Sequence, residues 1–304
     1  MGRIAEALKR AERERRITAG DAREEPFPTA VAPSGYPETI EAPVLPQLEE
    51  INHEPVAVVE GLSEALVPYF DRSSLVTEQY RSLRTRLLSQ NPNYEHRTIA
   101  ITSAVPKEGK SVTTLNLGAT LAEIRHLRVL VVDGDFRRGS LGNMLNQDNR
   151  PGLAEVLTGE ATYSESIHDT PIPNLKFVPA GDTDNRSAAE LWTSASTRTV
   201  FQRMQNDFHY TLVDTPPATT VTDVGIIGQL CTGVVLVVRL HRTDEFVAKR
   251  AVRLLQVNNV PLMGCVLVGR DAPAGRYGYG YGYSYSYYNY YGYYNYYNKQ
   301  SDED

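Results

Sequence analysis

The chain has 304 residues, 31 Lys and Arg against 37 Asp and Glu, a net charge of −6 and 41% hydrophobic residues. That length and apolar content suffice for a buried core, and the acidic balance gives no bulk electrostatic reason to bind nucleic acid. The two cysteines, Cys231 and Cys265, exclude a disulfide framework, and neither an eighteen-residue apolar run nor an apolar signal core appears.

Residues 1–16 place Ile4, Ala7, Leu8 and Ala11 at helical spacing among basic side chains, which predicts a short amphipathic helix. Residues 17–70 combine prolines with an acidic excess and little periodicity, as a disordered, flexible linker would. From residue 71 to 272 helical patterns alternate with apolar runs. A helix is predicted over "LVTEQYRSLRTRLLS", and strands at "RTIAITSA", "RVLVVDGD", "NLKFVPAG", "YTLVDTPP", "GVVLVVRL" and "LMGCVLVG". Continuous β-branched runs between helices predict an α/β fold, a mostly parallel sheet with helices on both faces. Residues 273–304 form a low-complexity tail.

The most informative stretch is "ITSAVPKEGKSVTTLNLGATL". A strand enters the loop Val105, Pro106, Lys107, Glu108, Gly109, Lys110, Ser111 and Val112, and a helix follows. Backbone N–H groups at the helix start would face a phosphate, the lysine would offset its charge and the hydroxyl would reach Mg²⁺. Lys107 stands where such loops commonly carry glycine, so a left-handed backbone there would cost roughly 1 kcal/mol. "RVLVVDGDF" ends a strand with Asp133 and Asp135 on one face, and "YTLVDTPP" ends another with Asp214. Ligands of open α/β sheets sit beyond the carboxyl ends of the strands, so these carboxylates should converge on the phosphate loop around a metal-bound triphosphate. No G-x-G-x-x-G follows the first strand, which disfavours a dinucleotide site, and the scattered histidines disfavour a metal cluster.

"AVPKEGKS", "VLVVDGDFRRGSL", "LVDTPP", "EQYRSLR" and the terminal tyrosines together resemble the bacterial tyrosine kinases of capsular and exopolysaccharide synthesis, over about residues 71–300. The resemblance implies a P-loop NTPase-type fold using ATP and Mg²⁺. Lys110 and Ser111 would hold the phosphates and the ion, Asp135 and Asp214 would complete the metal environment, and Asp133 would orient or deprotonate an incoming phenol. Glu78, Arg81 and Arg84 would form an intersubunit contact in a ring-shaped homo-oligomer. The family usually has glycine at the Lys107 position and proline at the Gly139 position. It also implies a separate membrane-embedded activator of the polysaccharide co-polymerase type, a cognate tyrosine phosphatase and a cytoplasmic location at the membrane through that partner.

The expected phosphate acceptors are Tyr277, Tyr279, Tyr281, Tyr283, Tyr285, Tyr287, Tyr288, Tyr290, Tyr291, Tyr293, Tyr294, Tyr296 and Tyr297, thirteen of the nineteen tyrosines. Phosphoryl transfer needs positioning more than covalent protein chemistry, so densely spaced hydroxyls suit a site reached in line. Two rivals remain. An ATPase like the ParA and MinD positioning proteins would carry a signature lysine where Val105 stands and would leave the tail unexplained. A membrane-associated scaffold would use the basic helix of residues 1–16 to bind lipid, which its charge and narrow apolar stripe support only weakly.

Overall fold

All six apolar runs form strands of one sheet. The computed structural model describes residues 61–220 and 222–269. The amphipathic helix expected over residues 1–16, most of the linker and the tail lie outside the described residues. In chain order the elements are α1 (Val67–Phe70), α2 (Leu75–Ser89), β1 (Arg97–Ser103), α3 (Lys110–Ala122), β2 (Val129–Asp133), α4 (Ser140–Leu145), α5 (Leu153–Thr158) and β3 (His168–Asp169). There follow β4 (Leu175–Val178), α6 (Ala188–Trp192), α7 (Ala195–Asp207), β5 (Tyr210–Asp214), α8 (Asp223–Leu230), β6 (Gly233–Arg239), α9 (Glu245–Val257) and β7 (Leu262–Val268).

The sheet runs β3-β4-β2-β5-β1-β6-β7, parallel throughout except for β3 against β4. The fold is thus α/β, with a mostly parallel sheet and helices on both faces. Side-chain alternation feeds two cores: Leu130 and Val132 of β2 pack with Trp192, Phe201 and Met204, while Val129 and Val131 pack with Leu115, Leu117 and Leu121 of α3. Strands buried on both faces explain why the sequence reads as continuous apolar runs.

Two helices position the site. α2 begins where the Ser74 side chain accepts the Thr77 N–H at 3.1 Å. α3 lies so close to the sheet that a Cβ on Gly118 would sit 2.8 Å from Val131 Cγ2, so only glycine fits there. The folded body starts ahead of the boundary expected at residue 71. Leu62 and Leu66 are buried in the α3-side core, and Asn116 of α3 accepts the Val67 N–H at 2.9 Å and donates to the Ala65 carbonyl at 2.8 Å. Residues 61–70 hold a single proline and a single acid, and it was the proline-rich acidic stretch before them that concealed the two core leucines.

Candidate functional site: a phosphate loop facing three strand-end carboxylates

β1 delivers the chain into the loop at residues 104–109, and α3 begins at Lys110. Gly109 caps the helix in the left-handed region, φ 97°, with no side chain over the first turn. The first N–H groups of α3 therefore have no intrahelical acceptor and no capping side chain, the arrangement that receives an anion. The loop is laced from within and from behind. Glu108 is buried and accepts the Val105 N–H at 2.8 Å and the Thr243 hydroxyl, and Arg239 donates to the Lys107 carbonyl at 3.1 Å. Lys107 has φ 68°, the strained left-handed geometry that the sequence made conditional.

β1, β5 and β2 lie side by side, with Ile101 opposite Asp214 and Asp214 opposite Asp133. That register sets both carboxylates in line with the loop. The Lys110 ammonium lies 3.1 Å from Asp214 and 3.4 Å from Asp135, and the Ser111 hydroxyl donates to Asp214 at 2.6 Å. Asp133 accepts the Leu141 N–H at 2.8 Å and the Asp135 N–H at 3.2 Å, which orients both its oxygens. The structure thus brings Lys110, Ser111, Asp133, Asp135 and Asp214 into one cluster, although β2 ends at Asp133 and Asp135 enters from the loop two residues beyond rather than from the strand face expected.

Burial, and then the neighbouring Asp214 charge, push the Asp133 carboxyl up to about 7. Burial also raises Asp214, with Lys110 and Ser111 pulling the other way. Burial works against the Lys110 ammonium, yet Asp214 and Asp135 outweigh it and hold that pKa above the ordinary lysine value. Among the described residues no group of three His, Cys, Asp or Glu side chains is set to hold a metal by itself. Mg²⁺ takes one or two carboxylates and fills its octahedron with phosphate oxygens and water. The set Ser111, Asp135 and Asp214 fits such an ion only with a phosphate alongside.

Several contributors escaped sequence reading because they come from distant segments: Thr243 and Arg239 behind the loop, Ser140 at 2.9 Å from Ser111, and the Arg137–Asp223 ion pair joining the two aspartate-bearing loops. Gly139, at φ 46°, adopts a conformation closed to the proline expected of the family, so the turn into α4 departs from that pattern.

Glu78, Arg81 and Arg84 lie together on α2, at the other end of α3 from the phosphate loop. Arg81 makes a two-pronged contact to Glu123, at 2.9 and 2.7 Å, and also pairs with Glu78. Arg84 reaches Glu123 at 2.7 Å and the Thr120 carbonyl at 2.6 Å. Glu123 is the C-terminal cap residue of α3. Burial opposes its ionisation, but the two arginines prevail and hold its carboxyl below the usual range. The thirteen expected acceptor tyrosines all lie outside the described residues.

A family model described as an AAA domain matches residues 96–240. The tyrosine-protein kinase CpsD of Streptococcus agalactiae is 31% identical over 209 residues, covering 68% of this chain and 90% of the relative. The chain belongs to the bacterial tyrosine-protein kinases. It carries their nucleotide-binding P-loop domain and is a protein-tyrosine kinase, a transferase. Solved structures agree: the kinase domain of the Escherichia coli tyrosine kinase ETK has a TM-score of 0.66 at 26% identity, covering 72% of this chain and 85% of that one. The chimerical protein CapA2B2 has a TM-score of 0.63 at 28% identity, covering 68% and 91%. Among the described residues no helix is long and apolar enough to cross a membrane.

Proposed function

We propose that this kinase transfers the γ-phosphoryl group of ATP, with Mg²⁺, to the tyrosines at residues 277–297, those of a neighbouring subunit in a ring-shaped homo-oligomer. The observation that carries the reading is the convergence of Lys110, Ser111 and three strand-end carboxylates in a tyrosine-kinase chain that gathers thirteen phenols in one segment. When bound, Mg·ATP supplies the transferable phosphoryl group and the cation that offsets its charge. The α3 N-terminus and the loop from Val105 to Val112 cradle the phosphates. Lys110 exchanges its carboxylate contacts for phosphate oxygens. Ser111, Asp135 and Asp214 hold the ion. Asp133, with its raised pKa, accepts the phenol proton as the tyrosine oxygen bonds to phosphorus and ADP leaves; an ionised carboxylate already taking two N–H bonds still has lone pairs for it.

Glu78, Arg81 and Arg84 form the subunit contact. The kinase works at the inner face of the cell membrane, held and activated by a membrane-embedded polysaccharide co-polymerase-type protein. A cognate tyrosine phosphatase resets it, and its phosphorylation cycle regulates exopolysaccharide or capsule synthesis. Val105 in place of a ParA-type signature lysine argues against the positioning-ATPase alternative.

Mass spectrometry of the full chain after incubation with Mg·ATP and the activator's cytosolic segment should find phosphate on several tyrosines of residues 277–297, and none with Lys110→Met. An unmodified tail in folded, activated protein, or undiminished labelling of Lys110→Met, would overturn the reading.

A further inference from the structure

β7 closes one side of the sheet, and its outer edge pairs with no strand among the described residues. The strand is "LMGCVLV": seven residues without a charge or a proline, the devices that normally blunt an exposed edge. Cys265 is exposed, Leu267 is 63% exposed, and a Cβ built on Gly264 meets nothing within 4 Å. Cys265 pairs with Leu236 and Leu267 with Val238, which places both on the face that α9 covers. α9 starts six residues after β6 ends, at the Leu267 end of the sheet, and its Phe246 is 73% exposed. An unpaired backbone edge thus borders an uncovered apolar strip.

The sequence that resumes after β7 has the matching pattern. From Tyr277 to Tyr287 tyrosine alternates strictly with glycine or serine, the period of a β-strand, which would set every ring on one face. Eight residues, 269–276, join it to β7, and Gly269, Pro273 and Gly275 among them suit a return loop. We propose that residues 277–283 of the same chain add to the outer edge of β7 as an antiparallel strand, with their tyrosine row over Leu267 and Phe246. Main-chain hydrogen bonds would supply affinity and the rings would cover the strip. The short tether favours the chain's own segment over one from solution. This docking does not require that the tyrosines accept phosphate. If they do, at about −1.5 to −2 charges each, a modified row cannot stay against apolar side chains, and phosphorylation releases it.

The test is hydrogen–deuterium exchange without nucleotide, comparing the full chain with one ending at Arg276, each at two concentrations tenfold apart. The amides of Gly264–Val268 should exchange at least about fivefold faster in the shorter chain, whatever the concentration, while those of β2 and β5 stay unchanged. Alkylation of Cys265 should quicken in parallel. The full-length Tyr279→Asp/Tyr281→Asp variant, which keeps the chain length but sets two charges against the apolar strip, should behave as the shorter chain does. Equal exchange in the two chains, protection that vanishes on dilution, or a Tyr279→Asp/Tyr281→Asp variant that stays protected would each overturn the proposal.

Discussion

Lys110 stands within 3.4 Å of two carboxylates that the fold has almost wholly removed from water, and the third, Asp133, shares their field. Three acids with one ammonium cannot all ionise cheaply in such a place, so Asp133 keeps its proton up to about pH 7. An unfolded aspartate releases it near about 3.9. Between those values the folded protein binds a proton that the unfolded chain has shed, so this group's contribution to stability declines as pH rises from about 4 to about 7. Asp133→Asn does not titrate. In the nucleotide-free protein the stability gap between wild type and Asp133→Asn, measured by urea unfolding, should move in the variant's favour between pH 5 and pH 8, and a constant gap would contradict the raised pKa. The same group, poised near neutrality, suits a proton acceptor for tyrosine. At this scale the sequence was informative. Lys110, Ser111, Asp133 and Asp214 could be read because each sits at a strand or helix end whose position follows from local pattern, and Asp135 because it follows Asp133 by two residues. Thr243 and Arg239 could not, since nothing local links residue 243 to residue 108.

At the scale of elements, the helix predicted over residues 75–89 is α2 to the residue, because its serine cap and apolar spacing are both local signals. What it docks against was not legible. Glu123 lies beyond the phosphate-loop helix in an unremarkable run, and only the fold brings it to Arg81 and Arg84. The Glu78–Arg81 pair on the α2 surface is by itself worth a few tenths of a kcal/mol, about 0.2–0.5; a partly buried clamp of two arginines on one carboxylate is a larger interaction. Glu123→Gln should cost about 1 kcal/mol and lower the thermal midpoint by about 2–4 °C, leaving oligomer mass unchanged in light scattering. Replacing Glu78, Arg81 and Arg84 together by alanine should lower that mass as well. Unchanged mass in the triple variant would remove these residues from the subunit contact. β3, two residues in the antiparallel sense, escaped prediction because so short a strand carries no periodicity.

For the molecule as a whole, strand positions and sheet class followed from the alternation of apolar runs, whereas strand order and the starting point of the folded body came only from packing. Leu66 is fully buried against the α3 side of the sheet, so Leu66→Ala should cost about 3 kcal/mol. That corresponds to a midpoint roughly 6–12 °C lower in calorimetry, and a shift under about 2 °C would return residues 61–70 to the linker. The span of α3 has one more consequence. Its thirteen residues form a rod about 20 Å long, and Gly118 lets it lie flush on β2. One tip carries Lys110 and the other carries Glu123 in the grip of two arginines. A partner that drew those arginines away, as the proposed subunit contact would, would therefore act on the same stiff rod whose far tip holds Lys110 against Asp135 and Asp214.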